Sequence, residues 1–225
     1  MPRSDGWIAI ETSGSHASVA LGTADGEVLE EVMTGHRPHA REVVPALAGL
    51  MNRAGHSPKD VQGIVISDGP GSFTGLRIGA TVAKALAHVH HCPLRTASAL
   101  SVIARGAWRA SAVGTSAGCD QRILAVTDAL RGESYAALYR IGSRELSIVL
   151  PPAVVTPAEL ATWPAADMRA DTLPLASTLL DLLEVEGGTV PVHDLESWEP
   201  EYGRPAEAQA RWEAAHGRPL PGSRR

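Results

Sequence analysis

The sequence is poor in aromatic residues and cysteines and has no long apolar run. Aromatic residues make up 4% of the 225 residues, with a single Phe, so the core must be built from Ala, Val, Leu and Ile. The two cysteines, Cys92 and Cys119, lack CxxC or CxxH spacing, which argues against a zinc site and a disulfide scaffold and favours a reducing compartment. No apolar run reaches the roughly 18 residues of a membrane span, and no signal peptide is recognisable. We therefore expect a cytoplasmic protein without a membrane partner.

Positive charge is also scarce. The 20 Lys and Arg residues face 25 Asp and Glu, which gives a formal net charge of -5. Proteins hold nucleic-acid phosphates mainly with clustered Lys and Arg, so this chain is not expected to bind RNA on its own. If RNA is involved, a partner should supply the basic surface. The hydrophobic content of 44% is that of an ordinary globular protein, and a chain of 225 residues is long enough to bury a core.

The order of hydrophobic patterns predicts two α/β halves. Residues 7–34 alternate as three strands, and helical spacing follows from about residue 39 to 55. A short apolar strand then leads into a second helix, and residues 98–113 form a third. A similar series of three strands and two short helices begins near residue 120, with Thr156 as a helix cap. A partly repeated order of strands and helices predicts an α/β fold with mixed sheets.

The run IVISDGPGSFTGLRIG, residues 64–79, has small residues where a backbone or an anion must come close. Glycines permit that approach, and Ser72 or Thr74 could cap a helix whose free N–H groups attract phosphate. The GK[ST] of a P-loop is missing, so a structural turn and a docking surface remain alternatives. Phe73 is expected to anchor the loop against the sheet, and Arg77 to be solvated. The motif residues are Gly69, Gly71, Ser72, Phe73, Thr74 and Arg77.

The helix that follows the motif carries a strip of small residues. Gly75, Gly79, Ala83 and Ala87 recur every four residues, so one face of the helix has almost no side chain. Such a face lets another helix approach closely. The neighbour could be the helix at 39–55 of the same chain or a helix of another subunit.

Three carboxylates stand at predicted strand ends. Glu11, Asp68 and Asp128 could organise a metal-bound phosphate in a cleft, although Glu11 could equally cap the next hairpin. This arrangement keeps open an alternative function, a Mg-ATP-dependent small-molecule phosphotransferase or an ATP-binding protein.

No residue is predicted to perform catalysis or to bind a metal. His88, His90 and His91 project from divergent faces at a helix end, and no HExxH is present. Ser72 lacks the GxSxG context of an exposed nucleophile.

Several segments together resemble the TsaB family, also called YeaZ. The GPGSFTGLRIG segment is the most specific, and the resemblance extends to about residue 204. The matching segments are IAIETS, HAREVVP, DGPGSFTGLRIG, TDALRGESYAALY and EPEYGR.

This resemblance implies the actin, sugar-kinase and Hsp70-like (ASKHA, ribonuclease H-like) fold, with two related lobes. We expect an N-terminal lobe at 1–104 that carries the dimerisation helices. A shortened second lobe is expected at 105–225, with a flexible tail after 205.

The resemblance also implies a role in making N6-threonylcarbamoyladenosine beside the tRNA anticodon. In that machinery TsaC makes threonylcarbamoyl-AMP, TsaD transfers the group, and the ATPase TsaE joins them. Members of the family are non-catalytic paralogues of TsaD that form homodimers alone and bind TsaD and TsaE. The resemblance thus implies that this chain contacts tRNA only through the complex and needs no cofactor itself. ATP and Mg would be bound by the partner complex.

The family pairs through helices of its N-terminal lobe. The small-residue strip and the apolar face of the first helix would supply such an interface. The expected interface residues are Val43, Leu47, Leu50, Gly75, Leu76, Gly79, Ala83 and Leu86.

The sequence departs from the family pattern at several points. Glu11 stands where Asp is usual, and Gly203 where Leu is common. The segment between Trp163 and Leu173 is shorter than in many relatives, which argues against ATP binding by this chain alone. The metal-binding HxxxH of the catalytic paralogue is also missing, since TASALSVIAR has no histidine, and this argues against a metallopeptidase.

Overall fold

The computed structural model describes residues 4–34, 39–112, 120–203, 212 and 215–217. Its strands, in chain order, are β1 (Trp7–Glu11), β2 (Ala17–Gly22), β3 (Val28–Met33), β4 (Gly63–Ser67), β5 (Leu94–Ala97), β6 (Gln121–Asp128), β7 (Ser134–Ile141), β8 (Leu146–Val155), β9 (Met168–Ala170) and β10 (Val190–Pro191). Its helices are α1 (His39–Ala54), α2 (Phe73–His90), α3 (Ala99–Ala112), α4 (Pro157–Leu160) and α5 (Ala176–Leu182), with a 3₁₀ turn at Pro58–Asp60.

The described residues form two mixed sheets. The first has the order β10-β5-β4-β1-β2-β3, in which β1 pairs antiparallel with β2 and parallel with β4. The second has the order β8-β7-β6-β9, and only its β6–β9 pair is parallel. The strands β1 and β4 are central and covered on both faces, which explains why they read as continuous apolar runs.

Helices cover both faces of the first sheet. On one face, α1 and α2 bury a core that includes Ile10, Leu50 and Ile66. On the other face, α3 and α5 lie in a core to which both sheets contribute, with Val65 from the first and Tyr139 from the second. The two halves are therefore joined by one continuous hydrophobic core.

The pattern-based expectations for the larger elements are confirmed, including the Thr156 cap of α4, whose hydroxyl accepts from the Glu159 amide. The sequence did not predict β9 or β10, which are too short to show a period. The expected division after residue 104 falls inside α3, and the segment from 190 returns to the first sheet. The tail expected after 205 lies almost wholly outside the described residues.

None of the helices in the described ranges combines the length and the hydropathy of a membrane span.

Candidate functional site

The glycine loop before α2 approaches the chain's own backbone. A Cβ atom at Gly71 would collide with the Ser13 carbonyl oxygen, and one at Gly75 with the Thr12 carbonyl oxygen. The Ser72 amide donates to the Ser13 carbonyl at 2.7 Å. The glycines are therefore required because this loop and the turn after β1 touch backbone to backbone.

The start of α2 is capped within the chain. The Ser72 hydroxyl accepts a hydrogen bond from the Gly75 amide at 3.2 Å, which confirms one of the two expected caps. The carbonyl oxygens of Thr12 and Ser13 point their negative ends at the same loop. Two carbonyl oxygens face the loop, and the Ser72 and Gly75 amides are already bonded within the chain, so the loop is poorly suited to hold phosphate.

The small-residue strip packs against the chain's own sheet, which corrects the expectation that it meets another helix. A Cβ atom at Gly79 would collide with the Thr12 hydroxyl and lie 3.1 Å from Ile66 Cδ1. Leu86 alone of the expected interface residues is half-buried. The others are buried inside the chain: Val43, Leu47, Leu50, Gly75, Leu76, Gly79 and Ala83. Because their side chains fill the core under α1 and α2, a partner would have to use the opposite faces of these helices.

Glu11 serves the turn that follows β1. Its Oε1 accepts hydrogen bonds from the Ser13 amide at 2.6 Å and from the Ser13 hydroxyl at 2.5 Å. The carboxyl group is fully buried, and this burial raises the pKa of Glu11 despite the opposing effect of the Ser13 hydrogen bonds. Of the two roles that the sequence left open for Glu11, the structure shows the capping of the turn after β1.

The other two carboxylates have different surroundings. Burial raises the pKa of Asp68 to about 6; the Thr96 hydroxyl opposes this shift and the nearby Glu201 carboxylate adds to it. Asp128 is exposed, and its Oδ1 accepts from the Leu130 amide at 2.8 Å within the β6–β7 turn.

Glu11 and Asp68 are close enough for the Asp68 carboxylate to add to the raised pKa of Glu11, but with the exposed Asp128 they do not form a three-carboxylate metal site. Within the described ranges, no group of three or more His, Cys, Asp or Glu is placed to hold a metal ion. Glu11 is enclosed beneath Ser13, and the glycine loop is closed against the β1–β2 turn. These residues do not fit a magnesium-bound nucleotide at this position.

The exposed face of α2 carries a groove of about 410 Å³. Its lining residues are Phe73, Thr74, Arg77, Ile78, Thr81 and Val82. Phe73 is 38% exposed, so it does not anchor the loop against the sheet as expected but forms one end of the groove. Arg77 lies over the Phe73 ring, with its guanidinium carbon 5.6 Å from the ring centroid.

A strap, residues 192–203, runs along α2 after β10. Its apolar side chains Val192, Leu195 and Trp198 pack against the core under α2. Lys84 of α2 donates to the Glu196 carbonyl at 3.3 Å and lies over the Trp198 ring. The Glu201 amide donates to the Asp68 carbonyl at 2.7 Å, which fixes the strap to the glycine loop.

The end of the strap contacts the groove. The Tyr202 and Phe73 rings lie 4.6 Å apart, and the Tyr202 carbonyl accepts from the Tyr135 hydroxyl of β7 at 3.3 Å. A Cβ atom at Gly203 would collide with Pro70 and the Tyr135 ring. This explains why the chain has glycine where the family commonly has leucine. The EPEYGR segment is recognisable in the sequence, but no sequence pattern shows that it lies beside Phe73.

Comparisons with known proteins agree with this architecture. A family model described as "TsaD: tRNA N6-adenosine threonylcarbamoyltransferase" matches residues 29–181. The tRNA threonylcarbamoyladenosine biosynthesis protein TsaB of Bacillus subtilis (strain 168) is 30% identical over 233 residues, covering 91% of this chain and 96% of that protein. The Escherichia coli (strain K12) protein of the same name is 35% identical over 133 residues, covering 59% of this chain and 54% of that protein.

The solved structure of YeaZ from Pseudomonas aeruginosa superposes with a TM-score of 0.72 at 26% identity, covering 87% of this chain and 98% of that one. This likeness, with the match to the TsaD family model, confirms the expected actin-like α/β fold. The chain therefore belongs to the TsaB (YeaZ) family of tRNA threonylcarbamoyladenosine biosynthesis proteins.

Proposed function

We propose that this chain is a non-catalytic subunit of the machinery that forms N6-threonylcarbamoyladenosine in tRNA, and that it binds a TsaD-type transferase through the exposed face of α2. The observation that carries the proposal is the groove with its aromatic end and apolar floor. An exposed apolar stretch on an otherwise amphipathic helix is typical of a protein–protein contact.

The apolar surface continues beyond the groove. Val89, near the end of α2, is 68% exposed, and Val44 of the neighbouring helix α1 is 53% exposed. Leu86, which lies three residues before Val89 on α2, is half-buried. Exposed apolar residues on two adjacent helices suit a four-helix interface, in which each partner contributes a pair of helices.

The match to the TsaD family model supports a paralogous partner, because the matched residues 29–181 include both helices. Two chains built on the same elements can pair about a pseudo-two-fold axis, in the way that two copies of one chain pair about a true one. We accordingly propose a homodimer in isolation, a heterodimer with TsaD, and recruitment of a TsaE-type ATPase by that heterodimer. The tRNA is met only through the complex, in keeping with the net charge of -5.

ATP and magnesium are proposed to belong to the partner proteins. The closed glycine loop and the enclosed Glu11 support this division of roles. Calorimetric titration of the isolated chain with Mg-ATP should give no binding heat, and saturable binding in the micromolar range would contradict the proposal.

The interface can be tested by introducing a charge into the groove floor. In Ile78→Asp, a carboxylate replaces an apolar contact, so we expect the complex with the cognate TsaD protein to weaken by about a hundredfold or more. Sedimentation of the mixed proteins measures this change. Val149→Asp, at an exposed valine on the edge strand β8, is the matched control and should pair normally. Equal pairing by both variants, with unchanged melting temperatures, would rule out the groove.

A further inference from the structure

The groove contains one cation without a carboxylate. Arg77 lines it and is exposed, and among the described residues no Asp or Glu forms an ion pair with this guanidinium. The other lining residues are uncharged. A single positive group at the edge of an apolar floor complements a partner surface that carries one carboxylate among apolar side chains.

The position of Arg77 depends on two aromatic rings in tilted contact. Its guanidinium lies over Phe73, and the same ring is in contact with Tyr202 of the strap. Tyr202 is in turn held from the second sheet, through the hydrogen bond from the Tyr135 hydroxyl to its carbonyl. The neighbouring Glu201 amide fixes the strap to the glycine loop. The strap thus restricts the rotamers of Phe73. An exposed ring at a helix start would otherwise keep this conformational freedom.

We infer that the groove recognises a partner helix that presents a carboxylate among apolar residues, with Arg77 as the recognising group and Tyr202 as its positioning residue. The inference rests on the proposed function and adds the chemistry of the partner surface and a requirement for the strap. A guanidinium held over a ring loses less freedom when it binds a carboxylate than a free side chain does.

The test measures the affinity of the full-length chain for the cognate TsaD protein at several salt concentrations. The wild-type affinity should fall as salt rises, because the Arg77 contact is electrostatic and partly exposed. Arg77→Gln should weaken binding by about tenfold at low salt and remove most of this salt dependence, whereas Arg77→Lys should lose less. Arg109→Gln, at an exposed arginine of α3, is the matched control and should behave as wild type.

The positioning role is tested with Tyr202. Tyr202→Phe keeps the ring contact and should keep the affinity and its salt dependence. Tyr202→Ala should weaken binding by about tenfold and flatten the salt dependence, as Arg77→Gln does. Because both changes act on one contact, their effects in the double variant should fall well short of the product of the two.

The outcomes distinguish a failure of this inference from a failure of the proposed function. If Ile78→Asp disrupts pairing while Arg77→Gln binds with wild-type affinity and salt dependence, the inference is overturned and the proposed function stands. If the effects of Arg77→Gln and Tyr202→Ala multiply in full, Tyr202 does not position Arg77. If the wild-type chain shows no binding to the cognate TsaD protein, the proposed function itself fails.

Discussion

Asp68 holds its carboxyl group in a site where burial raises the pKa from 3.8 to about 6, with Glu201 nearby and the Thr96 hydroxyl as its stabilising partner. The folded state therefore binds a proton more tightly than the unfolded state does. The contribution of this group to stability is complete below about pH 4 and is lost as the pH rises through about 6.

Asp68→Asn removes this titration and retains an oxygen that can accept from Thr96. We expect the variant to match the wild-type free energy of unfolding near pH 4 and to exceed it by up to about 3 kcal/mol at pH 7. Chemical denaturation of both proteins between pH 4 and 8 measures the difference. A difference that does not change with pH would show that Asp68 titrates normally.

Phe73 and Gly79 show how much of the site could be predicted from single residues. The four-residue spacing of small residues correctly predicted a close approach at Gly79, but spacing alone did not identify the Thr12 turn as the neighbour. The position of Phe73 depends on Tyr202, which lies far along the chain, so no local pattern could show that this ring borders a surface groove.

An ion pair between the buried Arg105 and the half-buried Asp181 links the two helices that lie between the sheets. Arg105 of α3 bonds Asp181 of α5 at 2.6 Å, and its guanidinium also donates to the carbonyls of Gly142 and Ser143 between β7 and β8. The same group lies 4.4 Å from the centroid of the Trp108 ring. One side chain thus joins two helices and a strand connection, and its buried charge is fully partnered.

Arg105→Lys should therefore destabilise the fold although the charge is kept. A lysine ammonium cannot reproduce the planar set of three hydrogen-bond contacts and would leave the buried Gly142 carbonyl without its donor. We expect a loss of about 2–3 kcal/mol in the free energy of unfolding, measured by urea denaturation. Arg109→Lys on the exposed side of the same helix should change stability by less than about 0.5 kcal/mol.

The long elements were predictable because their periods extend over many residues. The helices α1, α2 and α3 and the strands of the three-strand runs follow the patterns read from the sequence. The strands β9 and β10 consist of three and two residues and exist because longer neighbours offer an edge to pair with. Burial inside the chain was not predictable for the faces of α1 and α2, since an apolar face looks the same whether it meets a sheet or a partner.

The closed glycine loop, the core shared by the two sheets and the exposed groove are consistent with a chain that serves as a binding subunit. The side of α2 that faces the sheet is used for folding, and its opposite side is available for a partner. The net charge of -5 is in keeping with the proposal that other subunits bind the tRNA.

The proposed function requires that this chain supports tRNA modification by binding the transferase subunit. The decisive experiment measures threonylcarbamoylation of tRNA by the cognate TsaC, TsaD and TsaE proteins with the wild-type chain, with Ile78→Asp, and without the chain. We expect modification with the wild type, and background levels with Ile78→Asp or with no chain. Equal modification in all three mixtures would overturn the proposed function.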